Sequence, residues 1–476
     1  MATAPDDDDD LLSRVRARYD SFGRGRVLSH IDELPPDDRR SFLLQLDSID
    51  VGKIRSLLAS ALEVQSKAKE AVEPFGGDVA STRDVSEGER ALGLEEVRRG
   101  RVACVLLAGG QGTRLGYDGP KGSYDLGLRS GRTLFRLICE RILRLTRLAG
   151  DLGGEGRGGV ASVPLYIMTS PLNDAETRGH FAENDYFGLP PDDVAFFTQG
   201  VLPCLTPDGD LILESPSRVA VAPDGNGGIY PAMLKGGVLD NMGRRGVGHV
   251  HVFSVDNALV LPADPSFVGY CCSRDADCGN KVLPKRGAHE KVGVIAERGG
   301  RPCVVEYSDL SSAMAERTDG RGGLVFGAGN ICQHYYSLSF LRSVVSSPMY
   351  HVAHKKIPTW DFNLGRTVKP EFNNGIKLET FIFDVFPMSK RMSCLEVRRE
   401  DEFAPVKNAP GSSSDTPEEA RRMLSDQAGR WMIRAGAILK SKGDKTEGGC
   451  EVSPLTSYAG EGLDYEGKDV ECPFSV

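Results

Sequence analysis

From Val102 onward the sequence alternates short apolar runs with amphipathic stretches: VACVLL, TLFRLICERILRL, VPLYIMTS, NDAETRGHFAEN and VAFFTQG. The short runs predict buried strands, and the longer stretches carry the three-to-four-residue spacing of a helix with one apolar face. Strands separated by helices cannot pair through tight hairpins. They predict an α/β architecture, a mainly parallel sheet with helices on both faces. Leu134, Leu137, Ile138, Ile142 and Leu145 share one face of the first such helix, the face that packs. A further strand, HVHVFSVDNALV, ends on Asp256 and Asn257, with shorter candidates at VGVIAE and CVVEYSDL. In an open parallel sheet ligands bind beyond the carboxyl ends of strands, so residues just after each strand are the ones to examine.

The flanks read differently. Residues 1–98 show helical spacing, as in SFLLQLDSIDVGKIRSLLASALE, and predict a helical N-terminal region without a convincing strand. Within it, residues 1–10 read as a solvated, disordered acidic tip. Residues 99–400 then form the main domain. The Pro- and Ser-rich NAPGSSSDTPEEA reads as an exposed loop, and residues 401–476, with one helix and a Gly-rich tail, as a small C-terminal α+β domain. A chain of 476 residues with 40% hydrophobic content suits two or three globular domains.

Of the net charge of −9, five units come from the run Asp6 to Asp10, so the remainder offers no basic surface for nucleic acid or membrane. No apolar run reaches membrane-spanning length, and the acidic start is unlike a signal peptide; the cytosol is the expected compartment. Eleven scattered cysteines without a C-x-x-C pair read as reduced thiols. His249 with His251, and His351 with His354, have no third ligand at metal-site spacing and are expected to pack or lie at the surface.

The first strand runs into LAGGQGTRLGYDGPKG, residues 107–122. This is neither G-x-x-x-x-G-K-[ST] nor G-x-G-x-x-G: Lys121 lies between Pro120 and Gly122, and Gly110, Gly112 and Gly116 give a longer spacing. A glycine-rich turn after a buried strand still lets backbone N–H groups approach an anion, and Arg114 and Lys121 add charge.

That loop is followed by PDGNGGIY at 223–230, SVDN at 254–257, VVEYSDL at 304–310, FGAGNI at 326–331, NNGIKLETFIFDVF at 373–386, REDEFAPVKNA at 399–409 and EVSPLTSYAGEGL at 451–463. In this order the blocks resemble the eukaryotic UDP-N-acetylhexosamine pyrophosphorylases, from about residue 25 to about residue 465. The resemblance implies a Rossmann-like nucleotidyltransferase sheet, with UTP and N-acetylglucosamine 1-phosphate as substrates, Mg2+ as cofactor, and a monomer or homodimer. Alternatives within the same chemistry are N-acetylgalactosamine 1-phosphate or a hexose phosphate as acceptor; outside it, a nucleotide-sugar binder without catalysis.

The resemblance also assigns residues. Leu107, Ala108, Gly109 and Gly110 line the uridine site, and Arg114 and Lys121 face the triphosphate. Gln199 lies near the base, Gly225 and Asn226 at nucleotide and sugar, and Asp256 binds magnesium or orients UTP. Glu306, Tyr307 and Asn330 hold sugar hydroxyls and the N-acetyl group, Phe381 and Phe383 flank the sugar, and Lys377 and Lys407 face phosphates. Plain alternatives stand beside these: a surface lysine at 121, a strand-end cap at Gln199, a tight turn at PDGNGG, and a strand's core face for the alternating Phe381 and Phe383. Pro231 falls in the first turn of a helix, where proline is tolerated.

Overall fold

The computed structural model describes residues 5–67, 71–151, 162–346, 348–441 and 449–476. The chain divides into two compact units: a larger one from Ala71–Thr198, Ile229–Ser346 and Val385–Val476, and a smaller one from Met1–Glu70, Gln199–Gly228 and Ser347–Asp384.

The larger unit is built on the anticipated sheet. Its strands run in the order Val79–Ser81, Met392–Glu396, Cys278–Pro284, Ala328–Ser337, His249–Ser254, Val102–Leu107, Leu165–Thr169 and Val194–Thr198. Every pairing along this path is parallel except the two made by Ala328–Ser337. Val294–Arg298 joins Ala328–Ser337 antiparallel and carries Arg301–Val305 and Val72–Pro74.

Val102–Leu107 is buried throughout. Side chains alternate across a strand, so both sheet faces must be covered there. Cys104 and Leu106 join the cluster formed by Leu134, Leu137, Ile138, Ile142 and Leu145, the apolar stripe of the helix Leu134–Asp151. On the opposite face Val105 neighbours Tyr166, whose hydroxyl donates to Asn241 in the helix Val238–Arg244 (2.7 Å).

The smaller unit packs three helices, Pro5–Ser21, Pro36–Ser48 and Val51–Lys67, with short antiparallel hairpins. Val15, Tyr19, Phe42 and Leu46 share its core with Leu205, Val219, Ile376 and Leu378. The pair His351–Lys355 and Gly375–Glu379 places Lys377 opposite Ala353.

Three sequence expectations are corrected. The region 1–98 is not one helical block: Val72–Pro74, Val79–Ser81 and the helix Glu87–Arg98 belong to the larger unit, where both strands enter the sheet. Three-residue strands have too little pattern to be read locally, and distant partners define them. The acidic run lies in the helix Pro5–Ser21: Asp8 pairs with Arg40, Asp9 with Arg39 (3.4 Å) and Asp10 with Arg14 (3.5 Å). Carboxylates suit the positive end of a helix, which offsets their mutual repulsion; residues 1–4 of the expected acidic tip lie outside the described residues. Residues 401–476 are not a separate domain, since Ala404, Val406, Ala420, Met423 and Tyr458 join the core cluster of the main sheet.

Candidate active site

The opening loop is held by backbone hydrogen bonds, with Leu115 anchored in the core of the larger unit. After Leu107 the chain folds back so that Lys121 N donates to Gly110 O (3.2 Å) and Gly112 N to Gly119 O (2.9 Å). A side chain at Gly112 would meet Tyr117, with ring and carbonyl atoms 2.7 and 2.9 Å from an added Cβ, so only glycine permits this fold-back. Buried Asn173 braces the turn: its Nδ2 donates to Ala108 O (2.8 Å) and Gly110 O (3.2 Å). Ala108 N donates to Met168 O (2.8 Å), whereas the amides of Gly109 and Gly110 have no protein partner among the described residues. Two adjacent unspent donors beyond a strand end can bind an anion or the edge of a base.

Lys121 opens the short 3-10 turn after Pro120. Its Nζ lies 3.7 Å from Asp256 Oδ2, with both side chains about one-sixth exposed. The pairing follows from the sheet: Val102–Leu107 and His249–Ser254 are adjacent and parallel, and Val255 N donates to Leu107 O (3.1 Å), so their following residues emerge together. Burial lowers the Lys121 pKa, Asp256 opposes that shift, and the nearby cations Lys407 and Arg114 reinforce it. Arg114 is exposed and makes no ion pair among the described residues.

Lys407 reaches this cluster from the far end of the chain. Buried Asn257 is the staple: its Nδ2 donates to Glu402 O (2.7 Å), while its Oδ1 accepts from Ala404 N (2.9 Å). Val406 N donates to Asp256 O (2.9 Å), which sets Lys407 next to the strand end. Glu306 is near enough for Lys407 to favour its charged form, although burial and Asp309 raise its pKa. Asn330 N donates to Gly293 O (2.8 Å), and a Cβ on Gly293 would stand 3.3 Å from Glu306 Oε1, which places Asn330 and Glu306 around one glycine. Tyr307 is 46% exposed. The larger unit thus gathers Leu107 to Gly110, Arg114, Lys121, Asp256, Glu306, Tyr307, Asn330 and Lys407.

The remaining candidates belong to the smaller unit. Gln199 is buried, and its side chain makes no hydrogen bond among the described residues. PDGNGG folds against Thr380 and Phe381: Gly225 has φ +90°, and an added Cβ would lie 2.2 Å from Thr380 O. Asn226 Oδ1 accepts from Ile382 N (3.0 Å). Phe381 and Phe383 stack at 5.0 Å with rings 14° apart, beside His351 at 4.8 Å from Phe381. They stand at the start of a 3-10 segment, Ile382–Met388, not in a strand, so the strand-core alternative falls. Lys377 is half-buried beside Cys204, whose thiol feels its charge.

Sequence reasoning missed several supporting groups. Asn173 and Asn257 act through backbone carbonyls and amides that lie far away in sequence. Asp384 accepts from Phe381 N (2.7 Å) and lies 2.8 Å from His351 Nε2. Asp224, just before Gly225, is 5% exposed, and its Oδ1 has no hydrogen-bond partner among the described residues. Burial raises its pKa to about 7. Its place in PDGNGG was visible; its burial was not.

The histidines follow the bland expectation. His249 bonds Tyr335 (2.7 Å) and Glu96 (3.0 Å), and His251 accepts from Ala263 N (3.0 Å). Among the described residues no group of three or more His, Cys, Asp or Glu side chains could hold a metal. A single carboxylate at Asp256, partly open and at a strand end, fits magnesium, which completes its shell with phosphate and water; it does not fit a zinc site closed by protein ligands.

Comparison with known proteins places these features in company. The family model for UTP–glucose-1-phosphate uridylyltransferase matches residues 60–448. The chain is 43% identical to UDP-N-acetylhexosamine pyrophosphorylase-like protein 1 of Xenopus tropicalis, over 95% of this chain and 94% of that protein. It is 42% identical to UDP-N-acetylglucosamine diphosphorylase 1 of Arabidopsis thaliana, over 94% and 89%. Among solved structures, the uridine diphosphate N-acetylglucosamine pyrophosphorylase of Trypanosoma brucei, in complex with an inhibitor, superposes with a TM-score of 0.81 at 32% identity, covering 97% of this chain and 95% of that one.

Proposed function

This chain belongs to the UTP–glucose-1-phosphate uridylyltransferase family, and on that premise we propose that it joins UTP to N-acetylglucosamine 1-phosphate, giving UDP-N-acetylglucosamine and pyrophosphate. A phosphate oxygen of the sugar phosphate attacks the α-phosphorus of UTP in line, and pyrophosphate leaves from the opposite side. A phosphate monoester has a second pKa of about 6, so the nucleophile is already largely a dianion at neutral pH and needs no general base. The protein must hold two polyanions together and stabilise charge that moves onto the leaving group.

One observation carries the reading: Lys121 Nζ stands 3.7 Å from Asp256 where two adjacent parallel strands end, with Lys407 beside them. Lys121, Arg114 and Lys407, all in the larger unit, offer cations to the phosphates. The unspent amides of Gly109 and Gly110 suit the uridine or its phosphates. Glu306, Tyr307 and Asn330 would select the acetylated sugar, because a site that pairs polar substrate groups rejects analogues lacking them. Asp256 is the residue to hold magnesium, which when bound neutralises phosphate charge.

Pyrophosphate release from UTP, measured over a panel of sugar 1-phosphates, tests this. N-acetylglucosamine 1-phosphate should rank first; a different leader reassigns the sugar, and no release with any member leaves a nucleotide-sugar binder. Eleven free thiols support a reducing, cytosolic setting. Fractionation would check that setting, and sedimentation would decide between monomer and homodimer.

A further inference from the structure

The larger unit contains a cavity of about 700 Å3 lined by none of the residues assigned above to nucleotide, sugar or phosphate. Ser81, Pro284 and Glu396 are the last residues of three neighbouring strands, and the chain just beyond each supplies lining residues. The cavity therefore occupies the carboxyl-end edge of the sheet, the edge on which open α/β sheets bind ligands, several strands away from Lys121. The helix Pro417–Arg434 contributes Arg422 and Arg430.

Its charge is not balanced. Seven basic and three acidic side chains line it. Arg398 pairs with Glu400, Arg422 with Asp426 (3.2 Å), Arg430 with Asp401 (2.9 Å) and Arg399 with Glu290 (2.6 Å). Arg83, Lys285 and Arg286 make no ion pair among the described residues, and Glu396 is the one lining carboxylate in the same position. Three unpaired cations against one unpaired anion leave an excess of two positive charges.

Lys285 sharpens the point. It is only 9% exposed, and its Nζ has a single protein hydrogen bond, to Ala288 O (2.9 Å). An ammonium carries three donors, so two remain for a ligand in the cavity. Burial lowers its pKa, against the weaker pull of Glu290. A bound dianion would supply the missing partner.

We propose that this cavity binds a small molecule bearing a phosphate dianion, held by Lys285, Arg83 and Arg286. Two excess charges match one phosphate monoester, arginine suits bidentate phosphate contacts, and the volume lies in the range of small-molecule sites.

The test is calorimetric titration of the full-length protein with inorganic phosphate at pH 7.5. It uses the wild type, the double variant Arg83→Ala/Arg286→Ala, the charge-preserving Arg83→Lys/Arg286→Lys, and Lys121→Ala. Because Arg83 and Arg286 are exposed, both double variants should keep the wild-type thermal midpoint. The proposal expects phosphate binding that persists in Lys121→Ala, weakens about tenfold or more in the alanine pair and is largely restored in the lysine pair. Absence of binding to the wild type at millimolar phosphate would overturn it, as would binding lost in Lys121→Ala but intact in the alanine pair. The readout is binding, so its failure leaves uridylyl transfer untouched, and failed transfer leaves this site untouched.

Discussion

Lys121 is surrounded by charges that conflict. Burial and the cations Lys407 and Arg114 press its proton off, and Asp256 holds it on. In the proposed reaction a bound triphosphate would reverse that balance. Removing one preorganised donor aimed at developing charge typically costs 10² to 10³ in rate, about 3 to 4 kcal/mol. Lys121→Ala should lose that much kcat while its thermal midpoint stays close to wild type; near-normal turnover would refute the role. Asp224 presents the opposite case, a carboxyl whose folded pKa is raised from 3.8 to about 7 by burial. The folded state then keeps its proton while the unfolded state has released it, so this group's stabilising contribution is whole below pH 3.8 and fades as pH rises toward 7. Asp224→Asn cannot ionise. Urea titrations should show the variant gaining on the wild type across that window, by about 4 kcal/mol at most at neutral pH, and matching it in acid. A constant difference at all pH values would remove Asp224 as the cause.

At the scale of elements, short segments are held by buried polar groups. The helix Pro265–Ser273 starts at Asp264, whose side chain accepts from Ser266 N (3.0 Å). Lys281, fully buried in the strand Cys278–Pro284, lies 2.7 Å from Asp264 and also pairs with Glu402 at the end of the helix Arg399–Glu402. One ammonium thus ties a strand to two helices, and Glu402 leads directly into the segment that Asn257 staples beside Asp256. Removing one member of a buried charge cluster strands the others without a partner and costs about 3 to 5 kcal/mol. Lys281→Met should lower the denaturant midpoint accordingly; retained stability would mean that the two carboxyls accept a proton in its place. The sequence announced the strands and the loop because apolar runs and glycine spacing are local signals. It did not announce Asn173, Asn257 or Lys281, since an isolated Asn or Lys is defined by carbonyls and carboxylates brought to it from elsewhere.

Over the whole molecule, chain order and compact unit do not coincide. The smaller unit is assembled from three separate stretches, and the larger one from the other three. The C-terminal stretch is integral to the larger core: Ala420, Met423 and Tyr458 are buried in the cluster of the Val102–Leu107 sheet, and Arg144 pairs with Glu461 (3.0 Å). A chain ending at Thr416 would open large cavities in that core, each costing about 2 to 5 kcal/mol against a typical total of 5 to 15. It should show no cooperative thermal transition of the larger unit; a preserved transition would restore the idea of a separable C-terminal domain. By itself the sequence determined the α/β class, the strands that end at Leu107 and near Asp256, and the reaction family, because periodicity, loop spacing and ordered motifs are properties of the linear chain. Only the tertiary structure decided the interleaved units, the capture of Val72–Pro74 and Val79–Ser81 by the sheet, the helical acidic run, and the meeting of Lys121 with Asp256 and Lys407. Those depend on burial and long-range pairing, whose energies are fixed by neighbours that linear order does not reveal.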